Sequence, residues 1–330
     1  MNLREEIHLL NAEEALDQAG RATDRASHSA IGTFLRNLGK TWQLYVLLLP
    51  ALLYFFILHY IPLYGVQIAF KDYIATKGIW GSPWIGLDHF QRFFNSYYFK
   101  DLIRNTLVLN VYGLLLFPLP IILALSFNEV KNATFKKWAQ TITYAPHFIS
   151  TVVMAGMVIA FLDPETGLIN SIIKVFGGSP IPFLIMPQWF KHIFVWSGQW
   201  QGLGWGAIIY LAALAGVNPD QHDAASVDGA SRMRRIWHIN IPAIMPTVII
   251  LFILTMGSFM SIGFEKVLLL QNPLNMSSSD VIQTFVYRSG LLQSQYSFSA
   301  AVGLFDSLIN VTLLVLANLI ARRTTDNSLW

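Results

Sequence analysis

Asn218-Pro219-Asp220-Gln221-His222-Asp223-Ala224-Ala225-Ser226-Val227-Asp228-Gly229-Ala230-Ser231-Arg232-Met233-Arg234-Arg235-Ile236-Trp237-His238-Ile239-Asn240-Ile241-Pro242 is a polar stretch clamped between two apolar runs, residues 193–217 and 242–264. Each run exceeds the roughly 20 mostly apolar residues that a helix needs to cross a bilayer. Locally the stretch spells a short helix, a turn and a second helix. Asn218 suits an N-cap, and Pro219 sits at the first helical position, where its missing N–H costs nothing. Gln221, three residues after the cap, makes a variant capping box. Gly229 ends the helix, because glycine accepts the left-handed conformation without penalty. Pro242 opens the next apolar run. Ala224, Ala225 and Ala230 leave a small-residue surface that a partner's groove could approach closely. Two expectations stand: a compact knob that transmits force from a partner to two membrane helices, or an ordinary loop with two amphipathic turns.

Outward from this stretch the pattern repeats. Residues 42–70, 102–127, 142–162 and 299–321 are the other long apolar runs, giving six in all. Pro50 and Pro62 lie in the first, Pro118 and Pro120 late in the second; neighbouring helices in a membrane can satisfy the carbonyls that proline frees. Gln199 and Gln201 interrupt the fourth. Of the 330 residues 54% are hydrophobic and only 12% charged, against about a quarter charged in a soluble domain. Continuous runs, not short alternating strands, exclude a β-barrel. The expected fold is all-α: a polytopic membrane protein of six transmembrane helices, with an N-terminal segment 1–41, a membrane domain 42–321 and a tail 322–330.

Basic residues orient such a chain, because cytoplasmic segments carry more of them. With the N-terminus inside, the inner segments hold thirteen: Arg4, Arg21, Arg25, Arg36, Lys40, Lys131, Lys136, Lys137, Arg232, Arg234, Arg235, Arg322 and Arg323. The outer loops hold eight: Lys71, Lys77, Arg92, Lys100, Lys174, Lys191, Lys266 and Arg288. Both termini and the 218–241 loop are therefore expected in the cytoplasm. The first 41 residues are polar and of mixed charge, without the apolar core of a signal peptide. Residues 3–19 repeat apolar positions at helical spacing, as an amphipathic helix or simply a solvated tail. Among the outer loops, 71–101 is aromatic-rich (Trp80, Trp84, Tyr97, Tyr98), which suits the headgroup level. Leu168, Ile172 and Phe176 give 167–176 an apolar helical face for lying on the outer surface.

Several chemistries lack their residues. There is no cysteine, and the eight histidines are scattered. No G-x-x-x-x-G-K-[ST] or H-E-x-x-H motif occurs, and no G-x-S-x-G elbow. A net charge of +3 with no basic stripe gives no footprint for nucleic acid. The chain is thus expected to bind no metal or nucleotide and to be no enzyme.

The order of residues in the quoted stretch resembles the EAA motif of binding-protein-dependent ABC importer permeases: Glu-Ala-Ala, three residues, Gly, nine residues, Ile, one residue, Leu-Pro. Asp223-Ala224-Ala225 stands for Glu-Ala-Ala, Asp228-Gly229-Ala230 for the usual Asp-Gly-Ala, and Ile239, Ile241 and Pro242 for the end. Asp223 is one methylene shorter than glutamate, Ile241 replaces leucine, and His222 stands where tyrosine is common. The likeness continues through Leu49-Pro50, residues 60–73, Gly86-Leu87-Asp88-His89-Phe90, Asn105-Thr106-Leu107, Tyr287-Arg288 and residues 299–305. Within the family these resemble permeases for complex oligosaccharides, alginate importers among them.

The resemblance implies a bacterial inner-membrane permease subunit that moves oligosaccharide, including acidic, polysaccharide-derived ones. Its implied partners are a second homologous permease, two ATPase subunits that carry ATP and magnesium, an extracytoplasmic solute-binding protein and the lipid bilayer. The knob would dock in a cleft on one ATPase. The alternative, an ion-coupled secondary sugar transporter, would favour inverted repeats and broken midplane helices; no repeat is visible.

Saccharide paths combine aromatic faces with amides and hydroxyls. Such residues inside the runs are Asn110, Tyr112, Gln199, Trp200, Gln201, Trp205, Tyr210, Ser258 and Ser261. Asp306 is the one acid well inside a run, and buried charge in a membrane usually faces a polar cavity or a partner. Gly202 and Gly206 form a G-x-x-x-G pair expected to allow close helix packing.

Overall fold

The computed structural model describes residues 41–325 and 328–330. The 3–19 stretch and nearly all of the segment 1–41 lie outside the described residues. Two compact units divide the chain, one ending at Val66 and the other spanning Gln67–Trp330.

The principal helices are α1 (Thr41–Phe70), α2 (Asp88–Phe94), α3 (Phe99–Leu115), α4 (Pro118–Glu129), α5 (Ala133–Tyr144), α6 (Thr151–Leu162), α7 (Leu168–Val175), α8 (Pro187–Ala215), α9 (Pro219–Val227), α10 (Arg232–Gly257), α11 (Phe264–Leu270), α12 (Ile282–Tyr287) and α13 (Tyr296–Thr324). Among the described residues the only β pairing is an isolated bridge between Lys71 and Trp84. Four helical segments are each long and apolar enough to cross a membrane: Thr41–Phe70, Phe99–Glu129, Arg232–Gly257 and Tyr296–Thr324. Two bent pairs, Ala133–Phe148 with Thr151–Leu162 and Pro187–Ala215 with Pro219–Val227, raise the number to 6 when each counts as one span.

The third expected span, 142–162, is corrected. It is not one helix: the chain turns by 102° between Phe148 and Thr151. Pro146 ends the α-helical pattern in a 3-10 turn, and Ser150 caps α6 by accepting the Val153 N–H. The Ile149 carbonyl freed at the corner accepts from the Gln201 amide at 2.7 Å. The fifth span, expected over 242–264, stops at Gly257 and leaves 258–263 outside regular α-helix. α13 continues to Thr324, past the expected boundary at Ala321. Two Ile-Pro pairs share a local signature. A π-turn runs through Phe56–Tyr60 just before Ile61-Pro62, and another through Ile236–Asn240 just before Ile241-Pro242. A proline ring collides with the carbonyl four residues earlier, and widening the turn relieves that crowding.

In the second unit three clusters form the core. One joins Leu109 of α3, Phe190 and Val195 of α8, and Val267 and Leu270 of α11. Another gathers Phe93, Leu102, Phe285, Phe298 and Val302; the fully buried Phe93 ring meets Phe99 at 5.1 Å and Phe305 at 5.6 Å. The third packs Ala124 and Leu125 of α4 on Ala207, Tyr210 and Leu214 of α8 and Ile244 of α10.

Small residues let α8 sit close to two neighbours. A Cβ on Gly204 would stand 2.1 Å from the Thr143 carbonyl oxygen, and one on Gly206 3.3 Å from Pro120. Gly202 faces open space, so the close-packing pair is Gly204 with Gly206 and not Gly202 with Gly206.

The 71–101 loop is folded. Lys71 is buried, donates to the Ile79 carbonyl at 2.7 Å and lies over the Trp84 ring. Trp80, Trp84, Tyr97 and Tyr98 remain exposed, as an interfacial role requires. α7 exposes Leu168, Ile172 and Phe176 along one side, while Asn170 is fully buried and ties Leu162, Asp163 and Ile181 together.

Candidate functional site

The knob of residues 218–241 begins at Asn218, whose side chain accepts the Asp220 N–H at 2.9 Å. The expected capping box is absent: the Gln221 N–H bonds the Asn218 carbonyl instead. The short Asn218 side chain reaches the second helical N–H, so the glutamine has no reciprocal role. α9 then leaves α8 at an angle of 74°. It closes with both bonds of a Schellman end, Ala230 N–H to Ala225 carbonyl at 2.8 Å and Gly229 N–H to Ser226 carbonyl at 3.1 Å. Gly229 has φ +74°, the left-handed conformation this ending demands. Ser231 starts the second limb by accepting the Arg234 N–H. The Arg235 guanidinium donates to the Ser226 hydroxyl, fastening the two limbs together. Asp223, Ala224, Asp228, Gly229 and Pro242 are exposed, Ala225, Ala230 and Ile239 half-buried, and Val227 is 88% exposed. The knob is therefore internally tied but bare on its outer side, and continuous with α8 at one end and α10 at the other.

Those same two helices wall a cavity of about 610 Å³ together with α3 and α4. Asn110, Gln199, Tyr210 and Ser258, noted in the sequence for a path, meet here. Ser261, also noted in the sequence, joins them, and so does Thr255, one turn before Ser258. No charged side chain lines it. It can offer amide and hydroxyl groups to a polar, uncharged surface, and it holds no nucleophile or acid–base pair.

The other proposed path residues lie elsewhere. Tyr112 pairs with His192 and accepts from the Trp196 indole at 2.7 Å. Trp200 lies outside the cavity lining and is about half exposed. Gln201 donates to the corner between α5 and α6. Trp205 stacks on His147 at 4.3 Å. Asp306 lines a second cavity and accepts from the Gln283 amide at 3.1 Å. Two residues passed over in the sequence organise this end of the cavity. Asn310 accepts the Met260 N–H at 2.7 Å and donates to Ser261, and Gln283 donates to the Met260 carbonyl at 2.7 Å. Asn310 stands four residues after Asp306 in an apolar helix, a same-face spacing that was there to be read. Gln283 lies outside the apolar runs and carried no such signal.

Lys266 lies between α10 and α13, outside the spans, and is buried against α8. It donates to the Phe194 carbonyl at 2.9 Å and sits 4.9 Å from the Phe194 ring centre. Burial pushes its ammonium pKa down to about 8. Arg288 and Asp280 form a two-pronged ion pair at 2.6 and 3.2 Å, with the Thr284 hydroxyl also donating to Asp280. Among the described residues no three His, Cys, Asp or Glu side chains cluster as metal ligands.

Residues 117–326 match the family described as binding-protein-dependent transport system inner membrane component. The chain is 46% identical over 299 residues to Protein LplB of Bacillus subtilis (strain 168), covering 90% of this chain and 94% of that protein. It is 43% identical over 288 residues to the polygalacturonan/rhamnogalacturonan transport system permease protein YteP of the same organism, covering 87% and 90%. Its fold matches a crystal structure of a bacterial ABC transporter involved in the import of the acidic polysaccharide alginate, with TM-score 0.82, 40% identity, and coverage of 88% of this chain and 99% of that one. A second crystal structure, of a bacterial alginate ABC transporter with an alginate pentasaccharide-bound periplasmic protein, matches with TM-score 0.83 and 39% identity over 89% and 99%. These matches displace the ion-coupled secondary transporter, and they make the chain a transport subunit whose ATPase is separate. The chain belongs to the family of inner membrane components of binding-protein-dependent transport systems.

Proposed function

We propose that this chain conducts oligosaccharide, acidic and polysaccharide-derived ones included, as one of two permeases in an ATP-driven importer. The observation that carries the reading is the sharing of helices. α8 and α10 provide Gln199, Tyr210 and Thr255 to the uncharged cavity, with Ser258 just past the end of α10, and the same helices run into the two limbs of the knob. A displacement of the knob is thereby a displacement of two cavity walls. The names of the relatives, polygalacturonan/rhamnogalacturonan transport for one and import of the acidic polysaccharide alginate for another, support the substrate class.

In this mechanism the outer side of α9 and its C-terminal turn, with Asp223, Ala224, Ala225, Asp228 and Gly229, seats in a cleft of one ATPase subunit. Its rigidity comes from the Schellman end and the Arg235–Ser226 tie. ATP and magnesium stay on the ATPase pair, whose closure swings the knob and turns the cavity from inward-facing to outward-facing. The solute-binding protein then releases its sugar to Asn110, Gln199, Tyr210 and Ser258. The knob and both termini lie in the cytoplasm.

The test is reconstitution of the complete complex in proteoliposomes with its binding protein. Oligogalacturonides or alginate oligosaccharides are expected to stimulate ATP hydrolysis and to be taken up. Stimulation by amino acids or peptides alone would overturn the substrate class while leaving the permease assignment standing.

A further inference from the structure

Among the described residues, five buried side-chain nitrogen or oxygen atoms lack a hydrogen-bond partner. Two of the five, Asp306 Oδ1 and Gln283 Oε1, belong to side chains already bonded to each other. Both side chains line one cavity of about 400 Å³, separate from the larger one. Asp306 is 8% exposed. A buried acceptor without a donor is costly, and none of the surrounding side chains donates to either atom. The Gln283 amide donates to Met260 and to the other Asp306 oxygen. The Asn310 amide donates to Ser261, and Arg288 to Asp280. A group bound in the cavity can supply the missing donors.

The walls say what kind of donor. Phe264 and Tyr287 line the cavity with ring centres 5.8 Å apart, and Tyr296 lines it too. Aromatic walls take the C–H face of a pyranose, and two neighbouring acceptors take its hydroxyl protons. No cation lines the cavity, so a uronate carboxylate would meet Asp306 unscreened, which selects against it. We propose that Asp306 and Gln283 form the floor of a second saccharide subsite that takes a neutral pyranose through two hydroxyl groups. This deepens the oligosaccharide reading and rests on it.

Two substitutions probe the site differently. In Asp306→Asn one of the carboxylate oxygens becomes an N–H donor, so the floor no longer presents the same pair of neighbouring acceptors. In Gly303→Leu a side chain enters the cavity, since Gly303 lines it and no heavy atom lies within 4 Å of where a Cβ would stand. The assembled complex, without its binding protein, is titrated with methyl α-galactopyranoside and with methyl α-galactopyranosiduronate by saturation-transfer NMR. The neutral glycoside should bind the wild type and weaken at least tenfold in both variants, while the uronate is unaffected by either. No binding of the neutral glycoside to the wild type would overturn the proposal. So would affinity unchanged in Asp306→Asn, or equal losses for the uronate. Sugar-stimulated ATP hydrolysis by the wild-type complex with binding protein judges the underlying oligosaccharide reading separately.

Discussion

Lys266 is a buried ammonium held by one carbonyl and one ring face, and that has a measurable consequence. Its folded-state pKa of about 8 lies below the ordinary 10.5. Between these values the unfolded chain holds more protons than the folded one, so stability rises with pH across the window and is lost again as pH falls through about 8. The full swing is on the order of 3 kcal/mol. Thermal unfolding in detergent should therefore move to higher temperature from pH 8 to pH 10, and Lys266→Met should flatten the curve. Arg288 and Asp280 make the opposite case, a charge pair fully matched by hydrogen bonds. Removing one partner strands the other, so Arg288→Ala should cost roughly 2–4 kcal/mol in unfolding experiments, and the double variant with Asp280→Ala should recover part of it. Gly229, at φ +74°, is strained by any side chain. Gly229→Val should cost about 1–2 kcal/mol. If the knob couples as proposed, the variant assembles with its sister permease but loses sugar-stimulated ATP hydrolysis, while Asp223→Glu keeps it. Wild-type transport by the valine variant would rule the knob out as the coupling element.

At the level of elements, α8 is the helix on which the others depend. Gly204 admits the Thr143 carbonyl of α5, and Gly206 admits Pro120 of α4. Gly204→Ala should push α5 away and lower stability by about 1–3 kcal/mol, read as a drop in unfolding temperature. Gly202→Ala, with open space around it, should be neutral or slightly stabilising, because alanine is the better helix former. A clash at Gly202 and tolerance at Gly204 would reverse the packing assignment. Composition could not distinguish the two glycines. Their difference depends on which side of α8 faces α5, and a helix hydrophobic on nearly all sides has no pattern to say so. The corner between α5 and α6 was not read from the sequence, because in a membrane helix a proline such as Pro146 only bends as far as its neighbours allow. The Gln201 amide donates to the Ile149 carbonyl at that corner.

For the molecule as a whole, orientation is testable because the chain has no cysteine. Val227 and Thr76 are both exposed. With the knob in the cytoplasm, Val227→Cys should resist an impermeant thiol reagent in intact cells while Thr76→Cys reacts; the reverse pattern would invert the topology. Ser82 in the same outer loop is unsuitable, being buried and bonded to Gly78 and Ile74. The sequence by itself determined the all-helical membrane architecture, because crossing a bilayer demands long apolar runs that nothing else in the chain can imitate. It also determined the family and most of the knob's form, because the Asn218 cap, the left-handed glycine and the Asp-Ala-Ala to Pro242 spacing are local, while the expected capping box at Gln221 did not form. Only the tertiary structure decided which polar side chains share a cavity. Asn110, Gln199, Tyr210 and Ser258 come together while Tyr112, Trp200, Gln201 and Asp306 do not, since each depends on the rotation of its helix about its own axis. That rotation is set by which neighbour each helix packs against, and no single run of residues records it.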